Sequence, residues 1–348
     1  MLADHKSQSG IRRRSVSGNA LFGYLIEHRE IPLLAVLALL ALVVSIRVPG
    51  YLANNYMNIL KGGSINMVMS TGMLCVLLIG SIDISVASTL ALSGAISGML
   101  MRDGAITSVF IMFIAGIGIG AAVGLVNGLF VSYGKVIPII VTLGMSYIVR
   151  AFIPMGWLLG MNKIVRTDLT NGFKDFLTAR YWLGLPYLVW CAVAATLIVG
   201  LFLRYTKVGR SLYAVGSNEE AASMRGVSIN RVKLLAHTIC GATAGLAGIM
   251  WLGYYSAIEK GSAAGQEMFT IAACVLGGVS VAGGYGKMVG VVVGAIMIAL
   301  INSAIPQLGI GNSMITEFVK GILLLLAILL NVFLSRAANK RSLLRRGV

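Results

Sequence analysis

TSVFIMFIAGIGIGAAVGLVNGLFV, Thr107 to Val131, admits two readings that lead to different proteins. Its centre, Gly116 to Gly120, has glycines spaced as in a dinucleotide-binding loop. Such a loop needs a strand before it and a helix after it. Here the flanks are apolar on both sides for the length a helix needs to cross a bilayer, about 20 residues. Gly116, Gly120, Gly124 and Gly128 recur every four residues, which puts them on one helical face and bares the backbone to a neighbouring helix. The stretch is therefore read as a membrane-spanning helix with a packing seam.

The rest of the chain agrees with that reading. Of 348 residues, 57% are hydrophobic and 11% charged, with a mean hydropathy of +0.89, outside the range of water-soluble domains. Span-length apolar runs fall near 31–47, 63–80, 84–101, 107–131, 136–159, 182–203, 234–255, 268–285, 288–305 and 314–335. The expected fold is an all-α integral membrane protein of about ten transmembrane helices. A polar tail, 1–30, precedes the membrane domain, 31–335, and a basic tail, 336–348, follows it. With the N-terminus cytoplasmic, the inner segments hold 18 Lys and Arg and the outer segments 8, which sets the orientation and puts both termini inside. The net charge of +16 is accounted for by basic flanks beside anionic lipid and calls for no nucleic acid. Cys75, Cys191, Cys240 and Cys274 lie in apolar runs without ligand spacing, so neither a disulfide nor a metal site is expected.

Polar residues inside such a chain carry the information, because each is costly in hydrocarbon. Asp83, in the interruption LLIGSIDISVAS with Ser85, suits either a hydroxyl-bearing substrate or the cap of the following helix. Asn127 in the fourth run and Thr142, Ser146 and Arg150 in the fifth are candidates for the same path. Arg150 is the strongest functional charge of the set, with an ion pair to Asp83 or snorkelling as its alternatives. Pro138, Gly144 and Pro154 predict a kink in the fifth run. A second interruption, VLGGVSVAGGYGKMVG at 275–290, follows Cys274 as the first follows Cys75, and paired breaks point to an internal repeat. No phosphate-binding loop is present, so any ATP is held by another chain.

The longest inner connection, 204–233, contains SNEEAASMRG, Ser217 to Gly226. Ser217 with Glu220 fits a capping box, Gly226 fits a helix stop, and Arg225 favours the C-terminal end of the dipole. Between them Asn218, Glu219, Ala221 and Ala222 give a face that is acidic and small. A membrane-lying helix would show large apolar residues instead, so the helix is read as a docking element for a partner.

AVGSNEEAASMRGVSINRVK, 214–233, resembles the cytoplasmic coupling loop of the monosaccharide ABC importer permeases, the branch that includes ribose, xylose and galactose transporters. Glu220, Ala221, Ala222 and Gly226 match that family's Glu-Ala-Ala-x-x-x-Gly signature. GSIDISVAS is similar to its Gly-Gly-Ile-Asp-Leu-Ser-Val-Gly-Ser, with Ser81 and Ala87 in place of glycines, and 141–151 and 276–295 resemble two further segments. The resemblance implies a dimeric permease in the bacterial inner membrane, moving a monosaccharide or small polyol by alternating access. It implies a periplasmic sugar-binding protein and a cytoplasmic ATPase that holds ATP and Mg, with no cofactor and no catalysis on this chain. The competing class is a secondary transporter or channel. Ion coupling calls for several acids deep in spans, and only Asp83 and Glu317 lie near such positions.

Overall fold

The computed structural model describes residues 30–153, 163–165, 169–179, 182–255, 257–259, 261–307 and five positions between 318 and 329. Nine of the ten apolar runs carry helices. They are α1 (Glu30–Arg47), α2 (Tyr51–Leu78), α3 (Val86–Arg102), α4 (Val109–Ser132), α5 (Pro138–Phe152), α7 (Tyr187–Tyr205), α10 (Ile229–Tyr255), α11 (Gln266–Leu276) and α12 (Met288–Gln307). Between α5 and α7 lies α6 (Asn171–Thr178), and the inner connection carries α8 (Lys207–Ser217) and α9 (Glu219–Met224). The tenth run, 314–335, with Glu317, falls largely outside the described residues, as do both tails.

Three expectations need correction. α2 begins twelve residues earlier than its apolar run, because Asn54, Asn55, Asn58 and Lys61 lower the hydropathy of a stretch that is nevertheless helical. The eighth run, 268–285, holds only the 11-residue α11, about 16 Å long and too short to cross alone. Pro138 does not kink α5; it opens it, where its missing N–H would be free in any case. One feature is not helical at all. β1 (Lys163–Val165) pairs antiparallel with β2 (Ala257–Glu259), Lys163 opposite Glu259.

α2 and α10 form the buried centre, and α4 lies along α10 through the glycine face. A Cβ on Gly120 would fall on the Gly241 carbonyl and the Gly245 backbone. One on Gly124 would meet His237 and Gly241, and one on Gly128 would meet Leu234. The contact is reciprocal, since Gly241 and Gly245 of α10 press back on Gly120, Gly124 and Gly116. Ser93 of α3 closes the junction by donating to both the Gly116 carbonyl, 3.0 Å, and the Gly245 carbonyl, 2.8 Å.

Gly118 has open space where its Cβ would be, although it is only two residues from Gly120. Gly118→Ala should leave the melting temperature of the purified protein unchanged. Gly120→Ala should lower it, by an overpacking cost of about 1–3 kcal/mol. A thermal scan of the two variants in one detergent checks the contrast.

Candidate functional site: a coupling surface and a buried polar cluster

The inner connection folds as two short helices that meet at Asn218. The N-cap of α9 is Asn218, whose Oδ1 accepts from Ala221 N–H at 2.8 Å. Ser217 instead ends α8 and donates its hydroxyl to the Tyr213 carbonyl. The capping box expected from Ser217 and Glu220 is thus replaced by a single asparagine cap one residue on. An asparagine is as good a cap as serine, and Ser217 is held by the preceding turn. The stop is as the sequence reads. Gly226 has φ +80°, Val227 N–H bonds the Ala222 carbonyl, and Gly226 N–H bonds the Ser223 carbonyl, the paired bonds of a Schellman ending.

Ala222 is the residue of α9 that is buried, while Asn218, Glu219, Glu220, Ala221, Met224, Arg225 and Gly226 are exposed. Met224 is 79% exposed, so the face turned away from the protein mixes acid, small residues and one flexible thioether. Lys233 of α10 donates from Nζ to both carboxylate oxygens of Glu219, at 2.9 and 2.8 Å, and the carboxylate of Glu220 has no partner among the described residues.

α8 fixes this surface to the breaks in the spans. Gly216 lies against the Leu78 carbonyl at the end of α2 and against Gly284 in the turn between α11 and α12. Gly284 N–H bonds that same Leu78 carbonyl at 2.9 Å, and Tyr213 donates to the Gly286 carbonyl at 3.1 Å. Gly283 packs on Gly80 and Gly216. Three backbone segments distant in sequence therefore meet at glycines, with no side chain between them. The two interruptions also turn alike. Ser81 N–H bonds Val76 and Gly80 bonds Leu77, while Val279 N–H bonds Cys274 and Gly278 bonds Val275. Gly80 and Gly278 have φ +70° and +82°. In this geometric correspondence Val76 matches Cys274, one residue out of step with the Cys75 and Cys274 pairing read from sequence.

Behind the first break lies a polar cluster. Asp83 is 1% exposed and accepts at Oδ1 from Ser85 N–H, 2.9 Å, and Ser85 Oγ, 2.6 Å. Asn127 donates to Ser85 Oγ at 2.8 Å and approaches Asp83 Oδ2 at 3.4 Å. His237 of α10, absent from the sequence candidates, places Nδ1 3.6 Å from Asp83 Oδ2, an electrostatic contact beyond hydrogen-bond length. Thr142 of α5 donates to the Ile82 carbonyl at 3.3 Å, meeting a backbone group that the broken helix frees. Ser146 is half-buried one turn further along. Arg150 does not join them. Two turns beyond Thr142, it reaches the Ser262 carbonyl at 3.4 Å, about 12 Å along the helix axis from Thr142. The sequence candidates therefore occupy two levels of the molecule. His237 was legible in principle, as a lone imidazole inside an apolar span.

Multiple spans, a capped inner helix and two broken helices joined through it describe a transport permease. The matching family model is the permease component of the branched-chain amino acid transport system, over residues 55–328. The chain belongs to this permease family. It is 34% identical over 326 residues to the ribose import permease protein RbsC of Escherichia coli K12, covering 91% of this chain and 98% of that one. It is 35% identical to RbsC of Bacillus subtilis, over 85% of this chain and 90% of that protein. With the L-arabinose ABC transporter permease protein AraH of Azospirillum brasilense it shares 32% over 83% of each. No solved structure matches the chain.

The geometry around Asp83 separates packing from electrostatics in this permease. Asp83→Ala removes the acceptor of both Ser85 bonds and should destabilise the fold by about 1–3 kcal/mol, the cost of leaving a buried donor unsatisfied. Asp83→Asn keeps an acceptor for Ser85 and should cost clearly less. The melting temperatures of the two variants, measured with membrane abundance, check the order.

Proposed function

We propose that this permease is the membrane subunit of an ATP-binding cassette importer, which carries a monosaccharide or related small polyol inward across the bacterial inner membrane. A periplasmic binding protein delivers the sugar, and a separate cytoplasmic ATPase holds ATP and Mg. Two permease subunits enclose the path. The observation that carries this reading is the exposed face of α9, anchored through Gly216 and Tyr213 to the ends of both broken spans. The names of the relatives, ribose and arabinose permeases, supply the substrate class.

The chain's own part in the cycle follows from its contacts. Closure of the ATPase pair moves α9, and α8 moves with it because Asn218, the cap of α9, bonds the Ala214 carbonyl of α8 through its own N–H. At Gly216 the displacement reaches the end of α2 and the turn before α12 backbone to backbone, without a flexible side chain to absorb it. α2 and α12 then shift about their packed faces. Asp83, Ser85, Asn127, Thr142 and Ser146 line the inner part of the path, where carboxylate, amide and hydroxyl groups can exchange their mutual hydrogen bonds for those of a polyol. Arg150 acts at the outer level.

Charge reversal at Glu220 tests the docking role. Glu220→Lys should leave insertion and melting temperature unchanged while reducing ATPase co-purification about tenfold or more, since a repelled interfacial charge costs several kcal/mol. Asn218→Ala is the control for fraying of α9, at about 1 kcal/mol. Full ATPase association and sugar-stimulated hydrolysis in Glu220→Lys would make α9 a solvated connector.

A further inference from the structure

α10 runs 27 residues from Ile229 to Tyr255, about 40 Å, and so exceeds the hydrocarbon thickness of about 30 Å. Its first turns carry Lys233, on the coupling surface. Its last turns therefore lie at the opposite, outer face, and there they border a cavity of about 430 Å³ lined by Trp251, Tyr255, Glu259, Gly261, Ser262 and Ala264. We propose that this cavity is a sugar acceptor site of the permease itself, with Trp251 and Tyr255 as the stacking platform and Glu259 as the hydroxyl acceptor. The proposal rests on the reading of the chain as a monosaccharide importer and adds where the outer end takes hold of the sugar.

The chemistry is that of carbohydrate recognition. A sugar ring has a face of C–H bonds carrying slight positive charge, which the negative face of an aromatic ring attracts. Its edge is a ring of hydroxyls, and a carboxylate accepts from two neighbouring ones at once. Both kinds of group are present. The Trp251 and Tyr255 rings lie 4.1 Å apart between centroids, tilted by 31°, and Tyr254 meets Tyr255 edge-to-face at 4.7 Å. Such bracing holds the platform in one orientation before any ligand arrives.

Glu259 is the last residue of β2, whose middle residue, Ile258, is buried against Gly94. Alternation along the strand turns Glu259 and Ala257 away from that buried side. Its carboxylate makes no hydrogen bond or ion pair among the described residues, while its backbone N–H is held by Ser262 Oγ at 3.0 Å. Ala263 and Gly265 have φ +58° and +84°, so the loop behind the cavity is tightly turned. Arg150 reaches into that loop through the Ser262 carbonyl, which ties α5 to the site. The cavity falls within the usual size range for small-ligand sites, about 300–1,000 Å³, and its lining is about equally polar and apolar.

The permease assembled with its ATPase in lipid nanodiscs, without the binding protein, is titrated with D-ribose and L-arabinose by saturation-transfer NMR, irradiating aromatic protons. Transfer to the C–H protons of at least one sugar is expected, together with its loss in Tyr255→Leu. Glu259→Gln, which keeps the shape, should weaken binding about tenfold, the loss typical of neutralising a charged hydrogen-bond acceptor. Absence of transfer to both sugars, or equal transfer in wild type and variants, overturns the proposal. So does a result in which the variants bind sugar normally but lose affinity for the binding protein, which would make the cavity a docking surface. Stimulation of the wild-type ATPase by sugar-loaded binding protein is measured separately, and its failure would count against the importer reading alone.

Discussion

Close approach of the α4 and α10 backbones is the constraint on which the other features depend. In a bilayer there is no hydrophobic gain in joining two apolar helices, so contact area and backbone proximity must do it. Gly116, Gly120 and Gly124 on one side and Gly241 and Gly245 on the other place carbonyl oxygens over glycine Cα atoms, where weak C–H hydrogen bonds add to dispersion. The hydroxyl of Ser93 then shares its one proton between two carbonyls from different helices. Proximity at this seam brings His237 and Asn127 to within reach of the same aspartate. Larger residues in the seam would separate α10 from the break at Asp83 and leave a buried carboxylate with fewer partners.

A second glycine junction does different work. At Gly80, Gly216, Gly283 and Gly284 the segments are turns and helix ends rather than parallel helices. Three of these residues have positive φ, which glycine adopts freely and other residues do not. The seam resists relative motion over a long interface, whereas this junction is compact and joins the inner ends of three segments. α10 carries the seam along its length and, through Lys233, also holds Glu219 of α9. A displacement arriving at α9 is thereby shared between a rigid spine and the ends of two interrupted spans.

Much of this was legible because glycine spacing and charge placement act locally. The four-residue period of 116–128 specifies a packing face without knowledge of its partner. Gly226 announces its turn by chemistry alone. What failed did so for reasons of context. Ser217 and Asn218 are both competent caps, and only the run of α8 to Ser217 decides between them. The polar start of α2 hides because Asn54 and Asn58 are exposed there and interrupt the hydropathy, while the same helix runs on into its buried half from Gly63. α11 reads as a span since its sequence stays apolar past Leu276, yet Gly277 sits against the α12 backbone and Gly278 turns the chain at φ +82°. Arg150 and Asp83, joined on paper by opposite charge, are separated by two turns of α5, a distance that sequence cannot convert into a level in the membrane.

The separation of levels bears on how a permease avoids trapping its cargo. Conduction requires binding strong enough to admit a solute and weak enough to release it. At the inner level Asp83 is already satisfied by Ser85 and faced by Asn127 and His237, so a sugar hydroxyl arriving there displaces an existing bond and gains little. At the outer level the carboxylate of Glu259 has no such internal partner among the described residues. If the proposed path is correct, the same carboxylate chemistry gives unequal affinity at the two ends of α10. A sugar passed from the outer group to the inner one moves toward a site whose own side chains compete for every hydrogen bond, and competition of that kind favours release.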